Sequence, residues 1–316
     1  MDRQPLSSSP LGAPPRRRPS LFGGVFALII GIYVLLIAGI LVADFVYVTR
    51  SPLGRRELAE LFFVAIPAKA QLDQMPEGEQ AYYTELGDRR RFIKHAVWLS
   101  VWTSSLAALI SLVISVPTGY VLSRGRFHGV RLIDALIDIP IVLPPLLFGI
   151  SLLVLFQRTG LGPVLKSVGI EFVFKPAGIV LVQVLIATAY GARMLKGTFD
   201  SIDPRLAAVA QTLGCTRAGA FFTVTLSNAR SGLVAALVMI WARALALYGP
   251  VIAFCGSTSM ETEVMPTRMF LEMSVGRLEA ALFIALLMIG MAVAVLLVLK
   301  LATERAADQV GRMLRP

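Results

Sequence analysis

Cysteine and histidine are nearly absent from this chain of 316 residues, which has two of each. Cys215 and Cys255 lie in different segments, which excludes a disulfide framework. His95 and His128 both fall near the ends of apolar runs, so a metal site or a Ser/His/Asp constellation has no convergent ligands, and no metal or cofactor is expected. A Gly-x-x-x-x-Gly-Lys-Ser/Thr phosphate loop is missing, so any ATP hydrolysis would fall to another subunit. Charge is scarce as well, at 16% of residues against about 25% in soluble domains. What is present is apolar: 56% of residues are hydrophobic, against roughly 45–50% in soluble domains. Mean hydropathy is +0.73. Six apolar runs of roughly 21–27 residues account for much of the excess and read as membrane spans. The net charge of +10 would suggest nucleic acid in a soluble chain. Here the charges sit between apolar runs and read as anchoring to anionic membrane lipid, with no nucleic acid.

Residues 1–20 are rich in Pro, Ser and Arg and end in Arg16-Arg17-Arg18, the composition of a disordered basic tail. Leu21–Tyr47 is apolar except for Asp44, which belongs at the lipid interface. This run exceeds a signal-peptide core and no small-x-small cleavage site follows, so it is expected as a first span over 21–47. Residues 48–91 form the longest polar stretch, an expected external segment in which Glu57–Leu72 could form an amphipathic helix. Five further spans are expected at 96–122, 132–156, 177–197, 232–254 and 280–301, followed by a tail at 303–316. Six spans put both termini on one side. The short loop Arg124–Arg131, the residues before the first span and the tail with Lys300, Arg305, Arg312 and Arg315 are all basic. The positive-inside rule places them in the cytoplasm, although the cations of 48–91 narrow the margin.

The segment between the fourth and fifth runs is unusual. Asp203-Pro204 reads as a helix N-cap followed by proline at the first helical position. A short Ala-rich helix, Arg205–Leu213, would then end at Gly214 in left-handed geometry. Thr216 would cap a second short helix, Arg217–Val224, carrying Phe221 and Phe222. Such a pair is too apolar for a solvated linker, and its aromatic residues want a partner's groove.

These residues carry a resemblance. The stretch Asp203–Leu226 resembles the EAA loop of ABC importer permeases, which reads Glu-Ala-Ala, three residues, Gly, nine residues, Ile-x-Leu-Pro. Gly214 followed by nine residues and Val224-Thr225-Leu226 keeps that spacing, with Ala208, Val209 and Ala210 at the Glu-Ala-Ala positions and Ser227 at the proline. Asp138–Gly149 is similar to the third-span signature of molybdate, tungstate and sulfate permeases. Trp241–Gly249 is similar to that branch's fifth-span motif, with Leu247 where the branch carries glutamate. Glu263–Arg268 and Arg277–Ala281 also fit. The resemblance covers about 92–302.

It implies an all-α polytopic fold of six transmembrane helices, with a permease domain over 92–302 and a cytoplasmic coupling loop between the fourth and fifth spans. It implies a non-enzymatic subunit in the cell inner membrane that passes a small oxyanion delivered by an external binding protein. Cytoplasmic ABC ATPase subunits would grip Ala208, Val209, Ala210, Gly214, Arg217, Phe221, Phe222 and Leu226. A second permease subunit, identical or paralogous, would complete the path. The lost glutamates at Ala208 and Leu247 fit a diverged branch, and ferric iron, thiamine or polyamine are alternative substrates within the class.

Translocation residues would come from Arg243, Tyr248, Pro140, Pro144 and Pro145. Arg243 lies mid-span, where a charge is expensive and faces a bundle interior or a watery path. It either lines the pathway or is satisfied by carbonyls or by Asp134 or Asp138. The three prolines break the third span's helix and free carbonyls, for lining or for packing alone. Pro117-Thr118-Gly119 reads as a plain kink. A secondary transporter would use intramembrane acids such as Asp134 and Asp138 with inverted repeats, but no repeat is found and 203–226 would go unexplained. A membrane-embedded hydrolase lacks converging ligands.

Overall fold

The computed structural model describes residues 21–52, 55, 59–60, 64–125 and 128–313, with side chains described from residue 28 to 298 except Lys69 and Ala70. The expected tail at 1–20 lies outside these residues. Helix α1 (Leu21–Arg50) is apolar on every side, and the span it provides from Leu28 buries nothing along its most apolar stretch. It meets the bundle at its far end, where Val48 is buried and Tyr47 Oη donates to Glu279 Oε1 at 3.4 Å.

Helix α2 (Glu77–Arg124) runs unbroken for 48 residues, through Pro117. Glu77 and Glu79 in its first turn suit the positive end of the helix dipole. The polar stretch 48–91 is therefore not a separate loop throughout. Its last part is the projecting start of the second span. The amphipathic helix expected over Glu57–Leu72 is interrupted: residues 64–68 have no regular structure before the helical turn Lys69–Leu72. Arg90 on α2 holds this stretch by donating from Nε to Glu60 O at 3.1 Å and from Nη2 to Val64 O at 2.5 Å.

The third span is broken. Helix α3 (Val130–Val142) and helix α4 (Pro145–Arg158) meet at 110°. The cause is local. A residue before proline avoids helical ψ, and Leu143 and Pro144 both precede one; their ψ values are 140° and 126°. Pro145 then starts α4 at a first-turn position, where its missing N–H costs nothing. Pro140 stays inside α3. A short helix α5 (Leu161–Ser167) follows.

Helix α6 (Pro176–Asp200) is the centre of the bundle, with Ile179, Val182, Ala187, Ala192 and Leu195 buried. It lies along α2, and small hydroxyl residues tie the two: Ser111 Oγ donates to Val184 O at 3.4 Å and Ser115 Oγ to Thr188 O at 3.1 Å. This is the close, small-residue packing expected of helices in lipid. After helix α7 (Pro204–Thr212) and helix α8 (Arg217–Ala220) comes helix α9 (Arg230–Leu245). The fifth span, expected as one run over 232–254, breaks at Ala246–Tyr248 before helix α10 (Gly249–Cys255). Pro250 at the start of α10 lacks the N–H that would continue α9. Helix α11 (Met265–Ser274) and helix α12 (Leu278–Met313) complete the chain, and α12 continues through most of the expected tail. Every regular element among the described residues is helical.

Candidate functional site

The two broken elements touch. Gly149 on α4 faces the start of α10 so closely that a Cβ there would lie 2.6 Å from Pro250 O. Beside this contact, Tyr248 stacks on Phe270 of α11 with ring centroids 4.7 Å apart. Gln183 of α6, fully buried, donates from Nε2 to Ala244 O at 3.0 Å and to Ser104 Oγ at 3.3 Å, so it satisfies a carbonyl at the frayed end of α9. Pro144 and Pro145 lie at the α3–α4 break and Tyr248 at the α9–α10 break, whereas Pro140 stays inside α3.

Arg243 sits on the last turn of α9. Its guanidinium carbon lies 4.7 Å from the ring centroid of Tyr190 on α6, a cation–π distance. Its Nε is buried without a hydrogen-bond partner, as are Gln183 Oε1 and Thr188 Oγ1. Buried polar atoms are normally paired, so each of these atoms keeps hydrogen-bonding capacity unused, as do others such as Arg268 Nε and Glu272 Oε2.

Pairing of Arg243 with Asp134 or Asp138 is not what the structure shows. Both acids are taken by α6. Arg193 Nη1 lies 2.8 Å from Asp134 Oδ1, and Arg193 Nε donates to Asp138 Oδ1 at 2.5 Å. Lys196 Nζ adds a bond to Asp134 Oδ2 at 3.2 Å. This quartet matters because α3 buries no residue at all. Charge, rather than a packed apolar face, holds α3 on the bundle. Sequence reading did not single out Arg193, which falls within the expected span 177–197, and missed the quartet. The signal was there: two acids four apart on α3, two bases three apart on α6, each pair on one helix face.

Just beyond the quartet, at the C-terminal end of α6, Arg124 of α2 donates to Phe199 O at 2.7 Å and also to Ile202 O, and Ser123 Oγ donates to Asp200 Oδ1 at 2.6 Å. The chain then enters the segment that resembles a coupling loop. Asp203 Oδ1 accepts from Arg205 N at 2.9 Å and Thr216 Oγ1 from Gly219 N at 3.0 Å, the two N-caps expected. Gly214 has φ of +96°. Cys215 N bonds Ala210 O and Gly214 N bonds Gln211 O, the paired closing bonds of a Schellman motif. The second helix departs from expectation: α8 passes into a π-helical turn, Phe221–Thr225, and a last turn, Leu226–Asn228.

Ala208, Val209 and Arg217 are exposed, whereas Ala210 and Leu226 are half-buried. Leu213 is 81% exposed and Phe222 65%. Phe221 is not free for a partner; its ring meets Tyr120 at 4.7 Å and Phe199 at 6.4 Å, which ties the segment to α2 and α6. Phe221 is half-buried and Phe222 exposed, with their rings in edge contact at 5.1 Å.

Sequence reading did not assign a role to Arg268. Its Nη1 lies 3.1 Å from Glu263 Oε1 and its Nη2 lies 2.5 Å from Glu272 Oε1, with both acids buried. Burial opposes its charge, yet the two carboxylates outweigh that and hold Arg268 above the usual guanidinium value. Met265 N donates to Ser100 Oγ at 2.8 Å, which fixes α11 to α2.

Residues 115–308 match the family described as "Binding-protein-dependent transport system inner membrane component". The chain is 32% identical over 220 residues to "Molybdenum transport system permease protein ModB" of Escherichia coli (strain K12), covering 69% of this chain and 96% of that protein. It is 34% identical over 203 residues to the protein of the same description from Mycobacterium tuberculosis (strain ATCC 25618 / H37Rv), covering 64% of this chain and 76% of that one. Among solved structures, a bacterial ABC transporter involved in the import of the acidic polysaccharide alginate superposes with a TM-score of 0.57 at 14% identity, over 88% of this chain and 98% of that chain. At that identity it establishes the fold.

The quartet generates a test. Arg193→Asp alone places three acids together and should release α3, raising hydrogen exchange over 130–142 at least severalfold while α6 exchange stays unchanged. The swap Arg193→Asp with Asp138→Arg should restore most of the protection. Equal exchange in all three proteins would mean that the charges do not hold α3.

Proposed function

The chain belongs to the inner-membrane components of binding-protein-dependent transport systems, matched over residues 115–308, and from that premise we propose how it works and on what. It is the permease subunit of an ABC importer, and ATP hydrolysis lies on a separate subunit. Its substrate is a tetrahedral oxyanion of the molybdate and tungstate class, delivered by an external binding protein. The observation that carries this reading is 32% identity to a molybdenum permease over 96% of that protein's length.

The topology we infer has six crossings: α1, α2, broken α3–α4, α6, α9 with α10, and α12. Four helices are long and apolar enough alone, and bent α3–α4 counts as one span if taken together; α9, bent by 74° from Arg217–Asn228, supplies the sixth crossing with α10 on this reading. Both termini and residues 203–226 lie in the cytoplasm on this reading, supported by the short basic loops. Two permease subunits, identical or paralogous, form one path in the membrane lipid. Cytoplasmic ATPases grip α7 and α8 through Leu213, Val209 and Phe222, whose exposed apolar surface favours a partner groove over water.

Motion at that grip has a mechanical route. Helix α6 runs directly into α7, and the quartet fastens α6 to α3, which ends at the Leu143–Pro144 break. ATP-driven closure thus swings α3 about a hinge next to the path. Along the path Arg243 supplies a planar fork that matches two oxygens of an oxyanion. Its unpartnered Nε supports that assignment.

The reading is tested by reconstituting the complete importer in vesicles and measuring ATPase stimulation by loaded binding protein across an oxyanion panel. Molybdate and tungstate should stimulate; stimulation by ferric iron, thiamine or polyamine instead would overturn the substrate. Arg243→Ala should lower uptake per assembled complex at least about tenfold, the scale of one charge-assisted hydrogen bond. Arg243→Lys should recover part of it, and full uptake in the alanine variant would reject a pathway role.

Gly214 gives a third test. A β-branched residue at its positive φ costs about 1–2 kcal/mol, and no neighbouring atom offers compensation within 4 Å. That is small for the whole membrane fold but large for one short helix pair. Gly214→Val should insert normally yet lose ATPase co-purification and stimulated turnover; parental levels of both would remove residues 203–226 from the coupling role.

A further inference from the structure

One groove belongs to none of the elements used above. It lies between α2 and the first part of α12, has a volume of about 890 Å³, and is lined by Ile93, Val97, Leu287, Gly290 and Ala294 with Arg90 and Lys94 among its walls. Helix α2 is polar from Glu77 to His95 and apolar from Ala96 onward. Arg90 and Lys94 therefore sit where the helix leaves water and enters hydrocarbon. Both helices run away from that boundary in the same sense, so the apolar lining deepens toward Ala294. From Phe283 to Ala294 α12 rises about 16 Å, roughly the hydrocarbon depth of one leaflet.

The two cations differ in what they do. Arg90 is fixed, donating to the carbonyls of Glu60 and Val64. Lys94 is exposed and makes no hydrogen bond or ion pair among the described residues. At Gly290 a side chain would meet nothing within 4 Å, so the groove is open there.

We propose that this groove binds one anionic phospholipid, with its phosphate at Lys94, Arg90 adding positive potential beside it, and an acyl chain lying along Val97, Leu287 and Gly290. Basic pockets between membrane helices hold anionic headgroups for this reason. A second copy of the chain seated in the groove would press apolar helix surface on the Lys94 ammonium and leave it without a countercharge, an expensive arrangement at that depth. A phospholipid supplies phosphate and hydrocarbon at the two depths where the groove presents cation and apolar wall. The site is independent of the transported substrate, so its test stands whether or not the oxyanion reading does.

The experiment uses the assembled importer, washed in detergent, incubated with phosphatidylglycerol or phosphatidylcholine, and weighed intact by native mass spectrometry. The parent should retain phosphatidylglycerol through washing. Lys94→Gln should lower that retention roughly fivefold, the worth of one surface cation, and leave phosphatidylcholine retention unchanged, while Lys94→Arg should behave as the parent. Gly290→Leu should fill the groove and lower retention of both lipids. Undiminished phosphatidylglycerol in Lys94→Gln or in Gly290→Leu would overturn the site. So would disulfide-linked permease dimers formed through Gly290→Cys in a Cys215→Ser background, because a second copy would then cover the groove.

Discussion

Hydrocarbon offers no hydrogen bonds, so every helix break inside a membrane has to be covered by protein. That constraint arranges the centre of this molecule. Two of the helix breaks, at Leu143–Pro144 and at Ala246–Tyr248, bring the pieces that follow them against each other. Gly149 permits it, because any side chain there would run into the Pro250 backbone. Gln183 serves the same need from α6 by satisfying Ala244 O from a fully buried position. The proline-rich segment itself stays exposed at Val142, Pro144 and Pro145, while the helix that follows it packs on α10 through Gly149.

Charge obeys a related rule with a different outcome at each site. A cation in or near the membrane needs an anion, a carbonyl, an aromatic face or water. Arg193 and Lys196 have Asp134 and Asp138, and Arg124 has two carbonyls at the end of α6. Arg268 has two buried carboxylates. Arg243 has only the face of Tyr190, which matches its charge but not its buried Nε. Buried unpartnered Nε atoms occur at both Arg268 and Arg243, but Arg268 has two carboxylates for its charge, whereas Arg243 has no ion pair among the described residues. On the proposed reading the Arg243 donor belongs to the substrate, and the shortfall in the empty protein is the capacity the anion fills.

The sequence made the helices legible where the signal was an apolar run, and the loop geometry legible where a single residue type was required. Gly214, Asp203 and Thr216 take the conformations their positions demand, because positive φ and N-capping restrict residue choice strongly. The length of α2 was hidden because its first part is polar, and apolar periodicity is silent about a helix that projects into water. The break before Pro250 was hidden by its surroundings: Ala246 and Leu247 are helix formers, and only the missing N–H of Pro250 and contact with α4 end the run. The Arg193 quartet was hidden for a third reason, since it joins residues 55 or more apart in sequence, which no local pattern reports. Phe221 and Phe222 were alike in sequence but differ in the structure, the first packed on Tyr120 and Phe199 and the second exposed, a difference set by distant helices that no local pattern reports.

The residue that replaces the family's glutamate also has a physical consequence. A glutamate at position 208 would offer the ATPase a charge, and exposed ion pairs are screened by salt and contribute about 1 kcal/mol or less. Ala208 offers none. What the segment presents instead is Val209, Leu213 and Phe222, all exposed, on a backbone fixed by two N-caps and a Schellman turn. Burial of apolar surface stabilises by about 25 cal/mol per Å² and does not depend on ionic strength in the same way. Hydrophobic contact is also less directional than an ion pair, so angle must come from the backbone. On the proposed reading, the turn at Gly214, rather than any one side chain, would set how α7 and α8 meet the ATPase. Phe221 is spent inside the protein, where its contacts with Tyr120 and Phe199 anchor the segment to α2 and α6. On the same reading that anchoring lets the helix pair pass a push from its surface toward α3.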